Sequence, residues 1–575
     1  MKYSSTVKQL VKYLKGHRLL LLLSLVLAFL SVILQLWVPL LFGDAIDQLV
    51  GKGDVNYSSL GMYLMKILVC VGSSALFVYV MNLINNRITY TVVRDIRNDL
   101  IEHIQKLPLS YLDSHTSGDI VSRVITDTDV LSDGLLLGFT QLFSGVVTII
   151  ATIYLMLRKN IWISLIVILL TPLSFLVSSF ISSRSFSLFK AQSAARGDET
   201  ALIDEIVGGM KVVKGYGYEE RASERFKDLN DKLATASRKA IFYSSLANPS
   251  TRFVNNIIYA FVALIGIMLI PKGALTVGGL SVMLSYANQY MKPFNDISSV
   301  VTELQNSFAC ASRVFDLINE KEETPSGSDE LSSVEGNVEI DDVAFSYDKS
   351  KSLIEHLSLN AEKGTRVAIV GPTGCGKTTI INLLMRFYDP DRGTIRIDGK
   401  DILTVSRHSL RSSYGMVLQE TWIKNGTVRE NITFGNPDAT EKEIMKAVDE
   451  AHCTSFIQAL PEGLDTPLNE HSLSEGQKQL LCIARVMLTH PPMLILDEAT
   501  SSIDTRTELL VQSAFDTLME NRTSFVVAHR LSTIKNADII LVMQNGRIIE
   551  MGNHETLMAK KGFYSTLYNS QFAPV

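Results

Sequence analysis

Between residues 19 and 42 the chain runs for 24 positions without a charged side chain. Such a run has few ways to fold in water. At 1.5 Å per residue a helix of this length crosses the ~30 Å hydrocarbon core of a bilayer with room for tilt. The run is too long for the apolar part of a cleaved signal peptide, and no small-residue pattern closes it. Residues 1–18 ahead of it carry Lys2, Lys8, Lys12, Lys15 and Arg18 against no acidic residue, the bias of a segment that stays in the cytoplasm.

Five more apolar stretches follow, at about 62–84, 135–157, 161–182, 254–270 and 277–301, and each is long enough to span. The second span tolerates Lys66 near one end, as a snorkelling lysine can. In the last, Lys292 and Asp296 are four apart and can pair on one helix face. Six spans return the chain to the side it started from, which the basic N-terminus makes cytoplasmic. The connections at 43–61, 158–160 and 271–276 are short, whereas residues 85–134 and 183–253 are charged and apolar at helical periods. Those long segments predict membrane helices that continue into the cytoplasm. Each is interrupted, the first between Pro108 and Asp119, the second at Gly208-Gly209 and Gly215-Tyr216-Gly217. The breaks predict short transverse helices against which another domain docks.

Residues 319–336 are polar, charged and turn-rich, a linker by composition. Beyond it the pattern is that of a soluble α/β domain, so the chain reads as an all-α six-helix transmembrane domain (1–318), a linker and a nucleotide-binding α/β domain (337–575). At 575 residues it is too long for a single core. The net charge of −5 gives no reason to expect a nucleic-acid partner. Five scattered cysteines, at 70, 310, 375, 453 and 482, form no metal-ligand spacing and no disulfide framework.

Gly371-Pro372-Thr373-Gly374-Cys375-Gly376-Lys377-Thr378 fits G-x-x-x-x-G-K-[ST] in the context that motif needs. The run Val367-Ala368-Ile369-Val370 leads in as a buried strand, and Thr379 to Leu384 leads out with helical spacing. Glycines let successive N–H groups turn toward phosphate oxygens at a helix N-terminus. Lys377 would reach the β and γ phosphates, and the Thr378 hydroxyl would face Mg²⁺. Met493 to Glu498 reads as a buried strand ending in two acids. Asp497 is placed to hold Mg²⁺ and Glu498 to orient and polarise an attacking water. A second buried strand, Phe525 to Ala528, ends at His529, a candidate for the γ-phosphate. Residues 539–551 read as a hairpin turning at Asn545-Gly546.

Leu473-Ser474-Glu475-Gly476-Gln477 lies shortly before the Asp-Glu strand. With six spans and a phosphate loop ahead of it, the whole chain resembles a half-transporter of the ATP-binding cassette exporters, whose signature is L-S-G-G-Q. The resemblance implies an ATPase with ATP and Mg²⁺ as cofactors, embedded in the cell membrane as a multi-pass protein. By the same resemblance Tyr347 stacks on adenine, Gln419 ligands Mg²⁺ and senses the membrane domain, and Glu498 is the catalytic glutamate. His529 is the switch histidine, and Ser501-Ser502-Ile503-Asp504 is the loop crossing a dimer interface. Residues 371–379, including Thr379, hold the phosphates. Ser474, Gly476 and Gln477 cover the nucleotide of a second, homologous half, so one chain is half a machine. Glu475 departs from the family's glycine and would bring a negative charge toward phosphate. The approach Leu468-Asn469-Glu470-His471-Ser472 is also about two residues short. An intact catalytic set beside an altered signature resembles the catalytically competent subunit of a heterodimeric multidrug-type exporter.

The expected activity is therefore ATP-driven export of a drug-like molecule, lipid or peptide by alternating access. A homodimeric lipid or drug exporter and an ATP-gated, channel-like protein are the alternatives. An importer is disfavoured, because importers of the family generally carry their membrane and nucleotide domains on separate chains. With no peptidase segment ahead of the first span, a leader-processing peptide exporter is not expected. Gln35, Asn82, Gln141, Asn255, Asn256 and Gln289 sit in or near spans, where amides face either a neighbouring helix or a substrate cavity.

Overall fold

The computed structural model describes residues 2–49, 57–419, 421–469, 472–497, 503–527 and 531–572. It forms two compact units, Met1–Gln105 with His115–Glu320, and Lys106–Ser114 with Lys321–Val575.

Among the described residues the first unit is made of helices and the turns that join them. Its long helices are Arg18–Asp47, Tyr57–Ile104, Phe143–Lys159 (entered through Thr126–Leu137 and a π-turn), Ile161–Gly208, Ala247–Leu269 (entered through Glu219–Ser245) and Val277–Ile318. At 48 residues, Tyr57–Ile104 and Ile161–Gly208 are each about 72 Å long, more than twice a hydrocarbon core. Among the described residues five helical stretches are long and apolar enough to cross a membrane. Val277–Ile318, the sixth, falls short of that standard because Asn288, Gln289 and Lys292 interrupt its apolar half.

Close helix approach in this unit depends on glycine at one crossing. A Cβ on Gly278 would lie 2.0 Å from the Gly43 carbonyl oxygen, so Arg18–Asp47 and Val277–Ile318 meet backbone to backbone there. Asp47 accepts a 2.7 Å hydrogen bond from the Gly278 amide and ties the start of the last helix to the end of the first. Other polar side chains bind helix to helix, as Ser24 donates to Asn85, Ser174 to Asn255, and Tyr286 to the Leu36 carbonyl.

The second unit packs two sheets. β1 (Val338–Phe345), β2 (Ile354–Ala361), β4 (Arg392–Ile397) and β5 (Lys400–Asp401) form an antiparallel sheet in the order β2-β1-β4-β5. β3 (Arg366–Val370), β6 (Tyr414–Val417), β9 (Met493–Asp497), β10 (Thr523–Val527), β11 (Ile539–Gln544) and β12 (Arg547–Gly552) form the other, ordered β12-β11-β3-β10-β9-β6 and parallel except at β12. A short pair, β7 (Gly426–Thr427) and β8 (Pro467–Leu468), stands apart. β3 reads as a continuous apolar run because both its faces are buried. Val367 and Ile369 pack toward the antiparallel sheet, and Ala368 and Val370 toward the helices Glu475–Thr489 and Thr505–Met519. The alternation of β1 slips one position between Ile340 and Val343, where a bulge puts Asp342 at φ +45°. The hairpin turns at Asn545 and Gly546, both at positive φ. The all-α membrane region followed by an α/β nucleotide domain is the fold expected from the sequence.

The turn-rich stretch after residue 318 is not a free tether. From Glu323 onward it lies along the second unit, held by three arginines. Arg411 pairs with Glu323 at 3.0 Å, Arg407 donates to the Thr324 carbonyl and hydroxyl, and the buried Arg386 reaches the Ile402, Leu403 and Val405 carbonyls beneath it. Asp329 bridges Val405, and a Cβ on Gly327 would lie 1.9 Å from the Thr404 oxygen.

Candidate functional site

β3 ends in the middle of the parallel sheet, and the phosphate-loop sequence leaves it toward the helix Lys377–Leu384. Gly374 and Gly376 take φ +80° and +103°, where a side chain is strained. At Gly371 a Cβ would lie 2.3 Å from the Met543 oxygen. Gly376, with no side chain to cap the helix, leaves its first amides without a side-chain acceptor. The Lys377 ammonium donates to the Gly371 and Pro372 carbonyls at 2.9 and 3.0 Å. It is thus held over the loop and can exchange these contacts for phosphate. Cys375 and Thr379 are both buried.

A cavity of about 520 Å³ opens beside the loop. Thr373, Gly374, Gly376, Lys377, Thr378 and Thr379 line one side of it, and Gln419, Asp497 and Leu353 the rest, with Val527 at the end of β10. β9 and β10 are paired in register, Asp497 beside Val527, so both strands end at the cavity. Asp497 is buried. Glu498 and His529 lie outside the described residues, as do Ser501, Ser502, Glu470 and His471.

Two groups of expected site residues lie apart from this cavity's lining. Tyr347 sits in an aromatic cluster, edge-on to Phe345 and Tyr388 with centroids 4.9 Å away in each case, and its hydroxyl accepts from Asn382 at 3.0 Å. Ser474, Gly476 and Gln477 form the start of Glu475–Thr489. Ser474 caps that helix reciprocally with Gln477, a capping box. Glu475 in the first turn pairs with Lys478 at 2.7 Å and accepts a long, 3.4 Å contact from the Thr421 hydroxyl. Asp504 accepts from the Arg506 and Thr507 amides and caps Thr505–Met519. Those hydrogen bonds hold its carboxyl below the usual range.

Sequence reasoning missed one contact. Tyr388 donates to Asp113 at 2.5 Å. Burial first, and then the Asp113 carboxylate, push the Tyr388 phenol up. Asp113 belongs to Leu109–Ser114, the short helix at the first interruption, which packs as part of the second unit although the chain on both sides of it belongs to the first. The signal available was the interruption itself. Its partner lies 275 positions away and had no mark.

Two family models match the chain, the ABC transporter transmembrane region over residues 21–294 and ABC transporter over residues 354–501. A "Fatty acid ABC transporter ATP-binding/permease protein" of Mycobacterium tuberculosis is 43% identical over 517 residues, 89% of this chain and 82% of the relative. An "ATP-dependent lipid A-core flippase" of Idiomarina loihiensis is 32% identical over 586 residues, 100% of this chain and 99% of the relative. Among solved structures, a bacterial Atm1-family ABC exporter with ATP bound matches with a TM-score of 0.78 at 28% identity, over 98% of this chain and 99% of that one. Likeness of that breadth takes in the membrane helices and the nucleotide domain together, and the chain belongs to the ABC transporter family, as a multi-pass membrane ATPase that forms half of an exporter.

Proposed function

We propose that this half-transporter exports a lipid-like amphiphile across the cytoplasmic membrane by alternating access, with its N-terminus and nucleotide domain in the cytoplasm. The observation that carries the reading is that Lys377, Thr378, Gln419 and Asp497 line one cavity beside the phosphate loop. ATP with Mg²⁺ supplies the free energy of each cycle when bound there. Thr378, Gln419 and Asp497 offer the hard oxygen donors that Mg²⁺ prefers, and Lys377 balances phosphate charge. In this reading Glu498 positions the attacking water, His529 meets the γ-phosphate, Tyr347 lies against adenine, and Ser474, Gly476 and Gln477 serve the nucleotide of the other half. The relatives named for a fatty acid and for lipid A-core favour a lipid over a peptide as cargo. The basic N-terminus favours the orientation.

Proteoliposomes separate export from gating. A fluorescent lysophospholipid should accumulate inside inverted vesicles with hydrolysable ATP and not with a non-hydrolysable analogue. Equilibration without a gradient would instead identify a gated channel. Asp113→Ala tests whether the short helix Leu109–Ser114, held in the second unit by Tyr388, contributes to turnover. Because Asp113 is the acceptor for Tyr388, its loss should cut substrate-stimulated ATPase about fivefold, the scale of a typical coupling energy. An unchanged stimulation would show that this hydrogen bond plays no part in turnover.

The partner is a second half of the same kind. The pairing of Glu475 with Lys478, at a helix N-terminus that itself favours negative charge, supports a working homodimer. A heterodimer in which the partner supplies an intact L-S-G-G-Q is the second reading, favoured by the 57% exposure that the Glu475 side chain keeps despite that pairing. Expressed alone, the chain should form a dimer whose ATPase changes less than about twofold on Glu475→Gly, since the carboxylate it removes is already compensated. A weak, inactive dimer rescued by a homologous second chain would establish the heterodimer.

A further inference from the structure

The helices of the first unit line an open cavity of about 580 Å³, within the range of pockets that take a drug-sized ligand. We infer that it takes an acyl-chain amphiphile with an anionic head group, and that Lys292 is the residue that reads the head. This rests on the export reading above and deepens it.

Val32, Val78, Met81, Leu142 and Val300 give the cavity an apolar wall. Among the described residues lining it Lys292 is the only charged one, and its side chain is exposed. The Asp296 side chain, its expected partner, lies outside the described residues. An ionisable side chain within a membrane span is costly and is normally retained for a pathway or a ligand. The surrounding groups add donors. Asn82, Gln141 and Gln289 line the cavity with amides that make no hydrogen bond among the described residues. Thr140, Ser144 and Thr148 instead commit their hydroxyl protons to carbonyls of their own helix. Gln35 also lines the cavity but spends its amide on Ser74 at 3.2 Å. Asn255 and Asn256 take no part, the first bonded to Ser174 and the second exposed. An ammonium has three donors and no acceptor, so a carboxylate or phosphate head satisfies it, a neutral head does so weakly, and a cationic head is repelled. The cavity therefore selects by head-group charge while its apolar wall tolerates chain variation.

Binding without nucleotide tests this separately from transport. The full chain in phosphatidylcholine nanodiscs is titrated with palmitate, hexadecyl phosphate, hexadecyl maltoside and hexadecyltrimethylammonium, all with one chain length. At least one of the two anions should bind about 10- to 100-fold more tightly than the maltoside, the scale of a hydrogen bond to a charged group. Which anion binds better distinguishes a carboxylate from a phosphate head. Lys292→Gln should abolish the preference while keeping maltoside affinity, and Lys292→Arg should retain it. Equal affinity for all four compounds in the unaltered protein overturns the inference, and so does a preference that survives Lys292→Gln. The wild-type series decides the head-group claim even if a variant fails to fold. Anion-selective binding without ATP-driven accumulation would defeat the export reading alone. Accumulation without head-group selectivity would defeat this inference alone.

Discussion

Lys377→Ala is expected to weaken ATP binding about a hundredfold, because the phosphates lose a cation whose charge-assisted contacts are each worth about 1.5–3 kcal/mol. Lys377 is already positioned over the loop, donating to Gly371 and Pro372, so its removal takes away these loop contacts together with the phosphate cation. Equilibrium titration with a fluorescent ATP analogue reads this directly. Glu498→Gln should behave oppositely. The amide keeps the size of the side chain and loses its basicity, so binding should persist while turnover falls by about a hundredfold or more, the usual contribution of a general base. Near-normal ATPase in Glu498→Gln would remove that residue from the chemistry. Near-normal ATP affinity in Lys377→Ala would do the same for the loop lysine.

Gly476→Ala should be nearly as damaging, for a reason of packing. A Cβ at this position lies 2.3 Å from Thr507 Cγ2 and 3.0 Å from Ile503 Cγ2, so the helices Glu475–Thr489 and Thr505–Met519 would have to separate. Thr507 is β-branched and its backbone amide is bonded to Asp504, which leaves it little freedom to turn aside. Overpacking of this kind costs about 2 kcal/mol, and a shift of the signature helix should lower ATPase with it. Thermal unfolding and ATPase assays follow both effects. Thr507→Ser removes the offending methyl, and the double variant should recover much of the loss. If Gly476→Ala is as stable as the parent, the glycine is not there for the helix contact.

Much of the fold follows from short stretches of sequence, because the forces that set those parts are local. A run of 24 uncharged residues must satisfy its backbone within itself inside a bilayer, so it is a helix. Glycines at Gly374 and Gly376 allow a backbone that other residues resist, so the loop is visible in eight letters. Asn545-Gly546 turns a hairpin for the same reason. The Glu475–Lys478 pair is also a local feature, three residues apart on one helix.

Other features depended on residues meeting from far apart. Charge and composition mark 319–336 as a linker, and partners far along the chain, among them Arg407 and Arg411 more than 80 positions on, turn much of it into part of the second unit. The sequence marks a break near Pro108 to Asp119, but Tyr388 brings Asp113 into that same unit. Periodicity cannot say which amide in a span faces a neighbouring helix and which a cavity, because both are interior to the bundle. The tertiary structure assigns Asn255 to Ser174 and leaves Asn82, Gln141 and Gln289 around Lys292. Dihedral preference and hydropathy act within a few residues and so are written along the chain. Hydrogen-bond partners and cavity walls exist only after segments hundreds of residues apart are brought within a few ångströms, and no single segment encodes them.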